Sequence, residues 1–321
     1  MSVKDKLVIT GSTGFVGRAL VERLYASCKY DLTLLVRRHT ASSSGITQIV
    51  VPEYGAFAHP LPLEGTKVAI HLAGRAHVLN DASLEPLLEF RKVNVGATVN
   101  FAEQCILAGV KRFIFVSSIG VNGAITGSEP FNELSPPRPA ADYAISKMEA
   151  EQALRDLVAG TEMELVIIRP PLVYAGHAPG NFRKLLKLVS SRLPLPFAAS
   201  KNCRTMISLE NLVDFIFLCL EHPLAANELF LVADTHSLST KEIINSIAEG
   251  MGRRTYLYPV PDIVLSTLAS LFGRRAVYYQ LCGSLVIDSR KAQNLLGWIP
   301  PVSTIEALRQ AGSSYIAGKR H

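Results

Sequence analysis

The stretch Thr10-Gly11-Ser12-Thr13-Gly14-Phe15-Val16-Gly17 spaces three glycines at intervals of three residues. An apolar run, 6–10, precedes it, and apolar residues at helical spacing follow it from Phe15 to Ala26, which predicts a strand, a tight turn and a helix. Glycines let a backbone approach a pyrophosphate closely, and a helix N-terminus favours an anion. We therefore expect a dinucleotide cofactor on residues 11–17; an ordinary tight turn is the alternative.

The rest of the chain repeats the alternation of strands and helices. Further strands are predicted at 32–36, 46–51, 68–72, 113–116, 165–168 and 229–232. This alternation is typical of an α/β fold with a Rossmann-type, doubly wound parallel sheet. We predict a cofactor-binding domain over 1–170, to which the chain returns at about 206–235, and a smaller, discontinuous C-terminal substrate lobe within 171–321.

Composition excludes several classes of protein. The 321 residues are 48% hydrophobic and 19% charged, which is ordinary for a globular protein. The formal charge is +6, and we read the Lys and Arg residues as dispersed, without the basic stripe of a nucleic-acid binder. Five scattered cysteines and the lack of a secretory signal favour a cytoplasmic location. Apolar stretches such as Ile263 to Phe272 are too short to span a membrane, although contact with its surface stays open.

The second predicted strand ends at Arg37 and Arg38. At this position an acidic residue binds the ribose 2′-hydroxyl of NAD, whereas an arginine accepts the 2′-phosphate of NADP. The pair therefore favours NADP(H) over NAD as cofactor, because a guanidinium pairs with a phosphate. Two solvated arginines at a strand end are the alternative.

Tyr143 and Lys147 lie four residues apart in a segment of helical pattern, which places the phenol and the ammonium on one face. A nearby ammonium and the positive nicotinamide ring of a bound cofactor would favour the phenolate, and a tyrosine so tuned acts as an acid and base. The apolar strand 113–116 ends in Ser117 and Ser118, and a hydroxyl there can donate to a carbonyl oxygen. Strand alternation turns Ser117 to the opposite face, which favours Ser118. An ordinary helix surface is the alternative for the tyrosine and the lysine.

These segments resemble the extended short-chain dehydrogenases/reductases, the NAD-dependent epimerase/dehydratase family. The matching segments follow the family's order: 10–17, 71–74, 94–98, 116–118, 143–147, 169–174 and 296–298. The resemblance implies that Ser118, Tyr143 and Lys147 form a catalytic triad. It also implies that Asn94 supports the site, and that further residues border the cofactor: Leu72, Ala73, Gly74 and Pro170.

Two further segments resemble the part of the family that binds nucleotide sugars. Arg204 matches an arginine that meets the nucleotide diphosphate, and Asn181 an amide near the uridine; a surface arginine and a helix N-cap are the alternatives. Other positions depart from the family pattern: Glu53 near the adenine, Asn122 in place of a tyrosine, and Tyr278 and Leu281 where an arginine and an aspartate often hold UDP. Arg274 or Arg275 could then assist Arg204.

Within the family, residues 116–123 and 169–174 look closest to bacterial UDP-4-keto-6-deoxy-N-acetylglucosamine 4-reductases of surface polysaccharide synthesis. We therefore expect an NADPH-dependent 4-ketoreductase. The alternatives are a UDP-hexose 4-epimerase with tightly held NAD and a non-catalytic NADP-sensing protein.

His71 and His77 form no metal-ligand pattern, so no metal is expected. Trp298 is expected to pack in the core. A homodimer through 84–108 and 141–159 follows by analogy with the family.

Overall fold

The structure is a computed structural model. The structure describes residues 4–40, 45–51, 60–76, 85–273 and 275–319. Four residues singled out in the sequence lie outside these ranges: Glu53, His77, Leu84 and Arg274.

Seven parallel strands form one sheet in the order β3-β2-β1-β4-β5-β6-β9. The strands are β1 (Asp5–Thr10), β2 (Tyr30–Val36), β3 (Thr47–Val50), β4 (Thr66–His71), β5 (Arg112–Val116), β6 (Glu164–Arg169) and β9 (Leu229–Leu231). A separate parallel pair consists of β7 (Val173–Tyr174) and β8 (Ile207–Ser208). The predicted Rossmann-type, doubly wound sheet is confirmed.

Helices cover both faces of this sheet and continue into the C-terminal part. They are α1 (Phe15–Ser27), α2 (Pro86–Arg91), α3 (Ala97–Leu107), α4 (Asp142–Val158), α5 (Gly180–Ser190), α6 (Leu209–Cys219), α7 (Thr240–Gly250), α8 (Asp262–Leu271), α9 (Arg275–Cys282), α10 (Arg290–Leu296) and α11 (Thr304–Ala317). A π-helical turn, Lys92–Gly96, joins α2 to α3, and short 3-10 turns occupy Ile119–Val121 and Pro223–Ala225.

Alternating side chains of the strands fill two separate cores. Ile9 and Ile70 pack on the face covered by α1 and α6, whereas Val8 and Phe113 pack on the face covered by α3 and α4. Strands buried on both faces read as nearly continuous apolar runs, which is why the sequence pattern located them. Trp298 contributes to the first core, where its Nε1 donates to Asp214 at 3.0 Å and its ring lies edge-on to Phe215. The expected packing role of this tryptophan is confirmed.

A third core joins α5, α7 and α11. Helices α7 and α11 approach so closely that a Cβ on Gly312 would lie 2.2 Å from the carbonyl oxygen of Ile247. The chain reaches this core after β6 and returns to the sheet in β9, which pairs with β6 through Ile168 and Phe230. The boundaries of the two predicted domains stay a prediction.

Candidate active site at the carboxyl ends of the strands

The glycine turn after β1 lies against the segment that follows β4. Gly11 has a φ of 72°, and a Cβ there would lie 2.6 Å from the backbone nitrogen of Ala73. A Cβ on Gly17 would lie 2.1 Å from the carbonyl oxygen of Gly11, so α1 can begin this close to the turn only with glycine. The structure thus explains two of the three glycines by backbone contact.

The start of α1 has the properties of an anion site. Its N-cap residue is Gly14, which offers no side-chain oxygen to the first backbone N–H groups. The hydroxyl of Ser12 is buried without a hydrogen-bond partner among the described residues. Thr13 accepts a hydrogen bond from the Arg18 side chain through its carbonyl oxygen, and the Phe15 ring packs against His177. A pyrophosphate therefore fits this turn, because it would satisfy the exposed donors and the buried hydroxyl.

Residues after β4 are held next to this turn. Leu72 donates its N–H to the carbonyl oxygen of Thr10 at 3.2 Å, and Ala73 donates to the Thr10 hydroxyl at 3.3 Å. A Cβ on Gly74 would lie 3.3 Å from the Asn94 amide oxygen and 3.6 Å from Lys147 Nζ. The absence of a side chain at Gly74 thus keeps the approach to Lys147 open.

Asn94 connects this segment to α4. Its amide oxygen accepts from the backbone N–H of Arg75 at 2.7 Å, and its Nδ2 donates to the Ser146 hydroxyl at 3.0 Å. Asn94 is completely buried in the π-helical turn. The amide therefore fixes the loop after β4 against the helix that carries Tyr143.

Tyr143, Lys147 and Ser118 come together from α4 and the end of β5. Lys147 is buried, donates to the carbonyl oxygen of Val116 at 2.9 Å and lies 4.3 Å from the centre of the Phe115 ring. Ser118 Oγ accepts the Gly120 N–H at 3.1 Å, which leaves its hydroxyl hydrogen to donate elsewhere. A Cβ on Gly120 would lie 3.3 Å from Ser118 Oγ and 3.2 Å from the Ala144 side chain, so the serine and the first turn of α4 are close neighbours.

Burial shifts the pKa values of Tyr143 and Lys147 in opposite directions. Desolvation raises the pKa of Tyr143 to about 12 and lowers the pKa of Lys147 to about 8, while the nearby Glu151 carboxylate opposes the second shift. The phenolate expected from the sequence is therefore not favoured by the lysine in the protein alone. Additional positive charge beside the phenol is needed to lower the pKa of Tyr143.

A buried ion pair beneath the site was missed by the sequence analysis. Glu151 accepts from Arg169 at 2.9 and 2.5 Å and from the Ser117 hydroxyl at 2.5 Å. Arg169 also donates to the amide oxygen of Asn122 at 2.9 Å. Ser117 thus faces away from Ser118, as strand alternation predicts, and Asn122 has a structural contact of its own. The spacing of Lys147 and Glu151, four residues on one helix, was the available signal.

His71 lies in a second buried chain of hydrogen bonds. The Thr98 hydroxyl donates to the carbonyl oxygen of Asn94 at 2.8 Å, so it accepts from His71 Nε2, and His71 Nδ1 accepts from the Thr10 hydroxyl. Burial keeps the pKa of His71 well below its ordinary value, and the ring is therefore neutral. This histidine links β1, β4 and α3 behind the cofactor turn.

Comparison with known proteins now adds to this geometry. Residues 7–233 match the model of the NAD dependent epimerase/dehydratase family. The chain belongs to this family. Over 97% of its length it is 40% identical to a Vibrio cholerae UDP-glucose 4-epimerase, of which it covers 95%.

More distant relatives share the fold. An Escherichia coli O157:H7 N-acetyl-alpha-D-glucosaminyl-diphospho-ditrans,octacis-undecaprenol 4-epimerase is 28% identical over 78% of this chain and 74% of the relative. The solved structure of a Bacillus cereus UDP-glucuronic acid 4-epimerase in complex with NAD superposes with a TM-score of 0.78, at 18% identity, and covers 98% of this chain and 100% of that one. The chain is thus an NAD(P)-dependent enzyme of the epimerase/dehydratase family.

Arg37 and Arg38 lie at the carboxyl end of β2. Both are exposed and follow the last residue of β2, next to the strand that carries the glycine turn. The neighbouring strand β3 ends at Val50, and Val51 donates to the carbonyl oxygen of Val36 at 2.8 Å. The position of the two guanidinium groups agrees with a 2′-phosphate contact, which itself stays a prediction.

Asn181 and Arg204 line one cavity of about 280 Å³, together with residues of α5, α7 and α9. The Arg204 guanidinium donates to two carbonyl oxygens, those of Gly283 at 3.0 Å and Tyr279 at 3.3 Å, and burial lowers its pKa. The alternative role of Asn181 as a helix N-cap is wrong, because Pro179 occupies the N-cap of α5. The alternative of a surface arginine is also wrong, since Arg204 is largely enclosed.

Residues expected to assist Arg204 are placed less favourably. Arg275 is exposed at the start of α9. Leu281 lines the cavity of Asn181 and Arg204, whereas Tyr278 lines a neighbouring apolar groove.

No group of three or more His, Cys, Asp or Glu side chains able to hold a metal ion occurs among the described residues. Within the same ranges, every helix is too short or too polar to cross a bilayer.

Proposed function

We propose that this enzyme interconverts hexoses at C4 while they are attached to UDP, as a 4-epimerase. The observation that carries the proposal is the similarity of nearly the whole chain to the Vibrio cholerae UDP-glucose 4-epimerase, together with the convergence of Ser118, Tyr143 and Lys147 beside the glycine turn. The sequence favoured a 4-ketoreductase as the first candidate. The Vibrio cholerae relative, aligned over nearly the whole chain, supports the epimerase instead.

The residues of the site divide the chemistry among them. A bound nicotinamide cofactor would supply an acceptor for the hydride of sugar C4 and a donor of that hydride to the opposite face of the keto sugar, as inversion at C4 requires. Tyr143 takes the proton of the sugar 4-hydroxyl as the carbonyl forms and gives it back afterwards, which is general base and acid work. Ser118 donates a hydrogen bond to the same oxygen, and Lys147 holds the nicotinamide ribose. The pKa of Tyr143, which burial raises, would be lowered by the positive charge of an oxidised nicotinamide bound beside it.

Other predicted residues would bind the cofactor and the UDP part of the substrate. Residues 11–17 would hold the pyrophosphate, and the segments at Leu72, Ala73, Gly74 and Pro170 would border the nicotinamide end. Arg204 would hold the sugar diphosphate, and Asn181 would meet the uracil. Both curated relatives described above act on sugars that, by their names, are joined to a diphosphate, which supports an arginine in this cavity.

A 4-ketoreductase that uses NADPH is the second candidate, and Arg37 and Arg38 favour it. These exposed arginines stand where a carboxylate would select NAD. In this case a bound NADPH would supply one hydride to C4, and Tyr143 delivers one proton to the 4-keto oxygen. The same triad performs both reactions, so the cofactor and the net product distinguish them.

One assay separates the two candidates. Purified enzyme without added cofactor is incubated with UDP-glucose or UDP-N-acetylglucosamine, and the 4-epimers are measured by NMR. In parallel, a UDP-4-keto-6-deoxy-N-acetylhexosamine is offered with NADPH, and cofactor oxidation is followed by absorbance. We expect epimer formation in the first reaction; consumption of NADPH in the second alone would establish the reductase.

The triad is tested by Tyr143→Phe, which removes only the hydroxyl. We expect turnover to fall by about two orders of magnitude or more, the scale of a lost general acid and base, while cofactor binding is retained. Tyr25→Phe on α1 is the matched control and should keep full activity. Near-normal turnover of Tyr143→Phe would remove this residue from the mechanism.

Cofactor choice is tested by replacing Arg37 and Arg38 together with glutamine. If they hold a 2′-phosphate, the affinity for NADPH falls about tenfold to hundredfold, because a charge-assisted contact contributes roughly 1.5–3 kcal/mol. The affinity for NADH should stay the same, as measured by fluorescence titration. Equal affinity of the wild type and the double variant for NADPH would leave the arginines as solvated surface residues and favour NAD.

A further inference from the structure

Helix α8 carries apolar side chains that the fold leaves in solvent. None of its ten residues, all of which the structure describes, is buried. Ile263 is 79% exposed, Leu271 76% and the following Phe272 73%, and Val264 and Leu268 add to the same exposed surface. Val264, Leu268 and Leu271 recur at helical spacing, so they form a stripe along one side of the helix. Such a contiguous surface marks an interaction site.

Helix α9 extends this surface into a groove. The groove between α8 and α9 has a volume of about 620 Å³. It is lined by Phe197, Leu265, Leu268, Phe272, Tyr278 and Leu281. Tyr256 and Tyr258 are exposed in the segment before α8. Tyrosines favour the boundary between water and hydrocarbon, because the ring is apolar and the hydroxyl polar.

Positive charge is concentrated in the same part of the chain. Residues 180–206 and 250–287 contain ten Lys or Arg and one acidic residue, Asp262, so their net charge of +9 exceeds the +6 of the whole chain. Arg254, Arg275 and Lys201 are exposed, and Lys201 precedes Asn202, whose side chain binds the carbonyl oxygens of Leu281 and Gly283.

We propose that α8 and the α8–α9 groove dock the enzyme onto the surface of an anionic lipid bilayer. The apolar stripe enters the boundary between headgroups and acyl chains, and the surrounding cations bind the lipid phosphates. A ten-residue helix lies on a bilayer and does not cross it. A symmetric contact between two copies of the chain is disfavoured, because it would bring two strongly positive surfaces together.

Docking also orients the cavity that contains Arg204. Leu281 lines both that cavity and the α8–α9 groove, so the two share a wall. The cavity therefore lies close to the membrane surface when α8 is docked. The docking itself does not depend on which sugar the enzyme converts.

The test is sedimentation of the full-length enzyme with vesicles of phosphatidylcholine, with or without added phosphatidylglycerol. We expect binding to the mixed vesicles that weakens as salt rises, and little binding to phosphatidylcholine alone. Leu271→Glu should lower the partition coefficient about tenfold or more, since it removes an apolar side chain that would enter the bilayer and adds a negative charge. Replacing Arg254 and Arg275 together with glutamine should reduce binding to the anionic vesicles only.

Leu134→Glu is the matched control, because Leu134 is exposed at 93% in a different part of the molecule. It should bind vesicles like the wild type, and circular dichroism should show that all variants are folded. Failure of the wild type to bind phosphatidylglycerol vesicles would overturn the proposal. So would an equal loss in Leu134→Glu, or a dimer in light scattering that Leu271→Glu dissociates, since the latter would make a second copy the occupant.

Discussion

Helices α4 and α8 reverse the usual relation between polarity and burial. The inner side of α4 carries Lys147 and Glu151, both buried, whereas α8 is apolar and has no buried residue. The difference lies in the partners that the chain provides. Strands β5 and β6 offer hydrogen-bond and charge partners to α4, but the elements around α8 cover only one side of it. A helix face is buried where neighbouring elements of the chain pack against it. It stays exposed where no such element is present and a different surface must cover it.

The polar side of α4 is stable only because each group is satisfied. An unpaired buried charge costs several kcal/mol, whereas a paired and hydrogen-bonded one is tolerated. Glu151 meets this condition through Arg169 and Ser117, and Lys147 through the carbonyl oxygen of Val116. Removal of one partner should therefore be far more harmful on α4 than loss of an apolar side chain on α8.

The largest effect is expected for Glu151→Ala. This change leaves the Arg169 guanidinium buried without its carboxylate, and we expect the free energy of unfolding to fall by about 3–5 kcal/mol. Chemical denaturation monitored by circular dichroism measures the change. Glu151→Gln should be milder, because the amide keeps a hydrogen bond to the guanidinium.

Glu149→Ala on the same helix is the control for that experiment. Glu149 pairs with Arg91 at 2.6 Å, but both side chains are partly exposed to solvent. Exposed ion pairs contribute about 0–1 kcal/mol, so this variant should unfold almost like the wild type. If Glu149→Ala and Glu151→Ala lowered the free energy of unfolding equally, burial would not be what makes the Glu151 ion pair costly to break.

The second-largest expected effect is the change of stability with pH that Lys147 causes. Since the folded protein lowers the pKa of Lys147 from 10.5 to about 8, the unfolded chain binds more protons between these values. Stability then rises with pH across this window. Relative to Lys147→Met, the wild type should gain about 3 kcal/mol from pH 8 to 10.5, given 1.36 kcal/mol per pKa unit. If the free energy of unfolding changed equally with pH in the wild type and in Lys147→Met, burial would not lower the pKa of this lysine.

The smallest effect is expected on α8. Leu271→Ala should change the free energy of unfolding by no more than about 0.5 kcal/mol, because the side chain is already in solvent. Leu212→Ala on α6 is the opposite case, since Leu212 is fully buried and its truncation should cost about 2–5 kcal/mol. A large loss of stability in Leu271→Ala would mean that α8 is covered within the molecule.

The sequence was sufficient for features that depend on neighbouring residues. The glycine turn, the alternation of strands and helices and the Tyr143–Lys147 spacing each lie within one segment, so local patterns reveal them. The Glu151–Arg169 pair and the cavity of Asn181 and Arg204 join segments far apart in the chain. Such contacts depend on the packing of several elements, so the helical spacing of Lys147 and Glu151 indicates a shared face but does not identify Arg169 as the partner.

The π-helical turn makes the active site sensitive to chain length. One residue more or less in a helix rotates everything beyond it by about 100°, because an α-helix has 3.6 residues per turn. Deletion of Val93 from Lys92–Gly96 would allow an uninterrupted α-helix and turn α2 relative to α3. Phe90, whose ring centre lies 6.3 Å from that of Tyr143, would then move away from it. Homologues should therefore accept substitutions in this turn more readily than insertions or deletions.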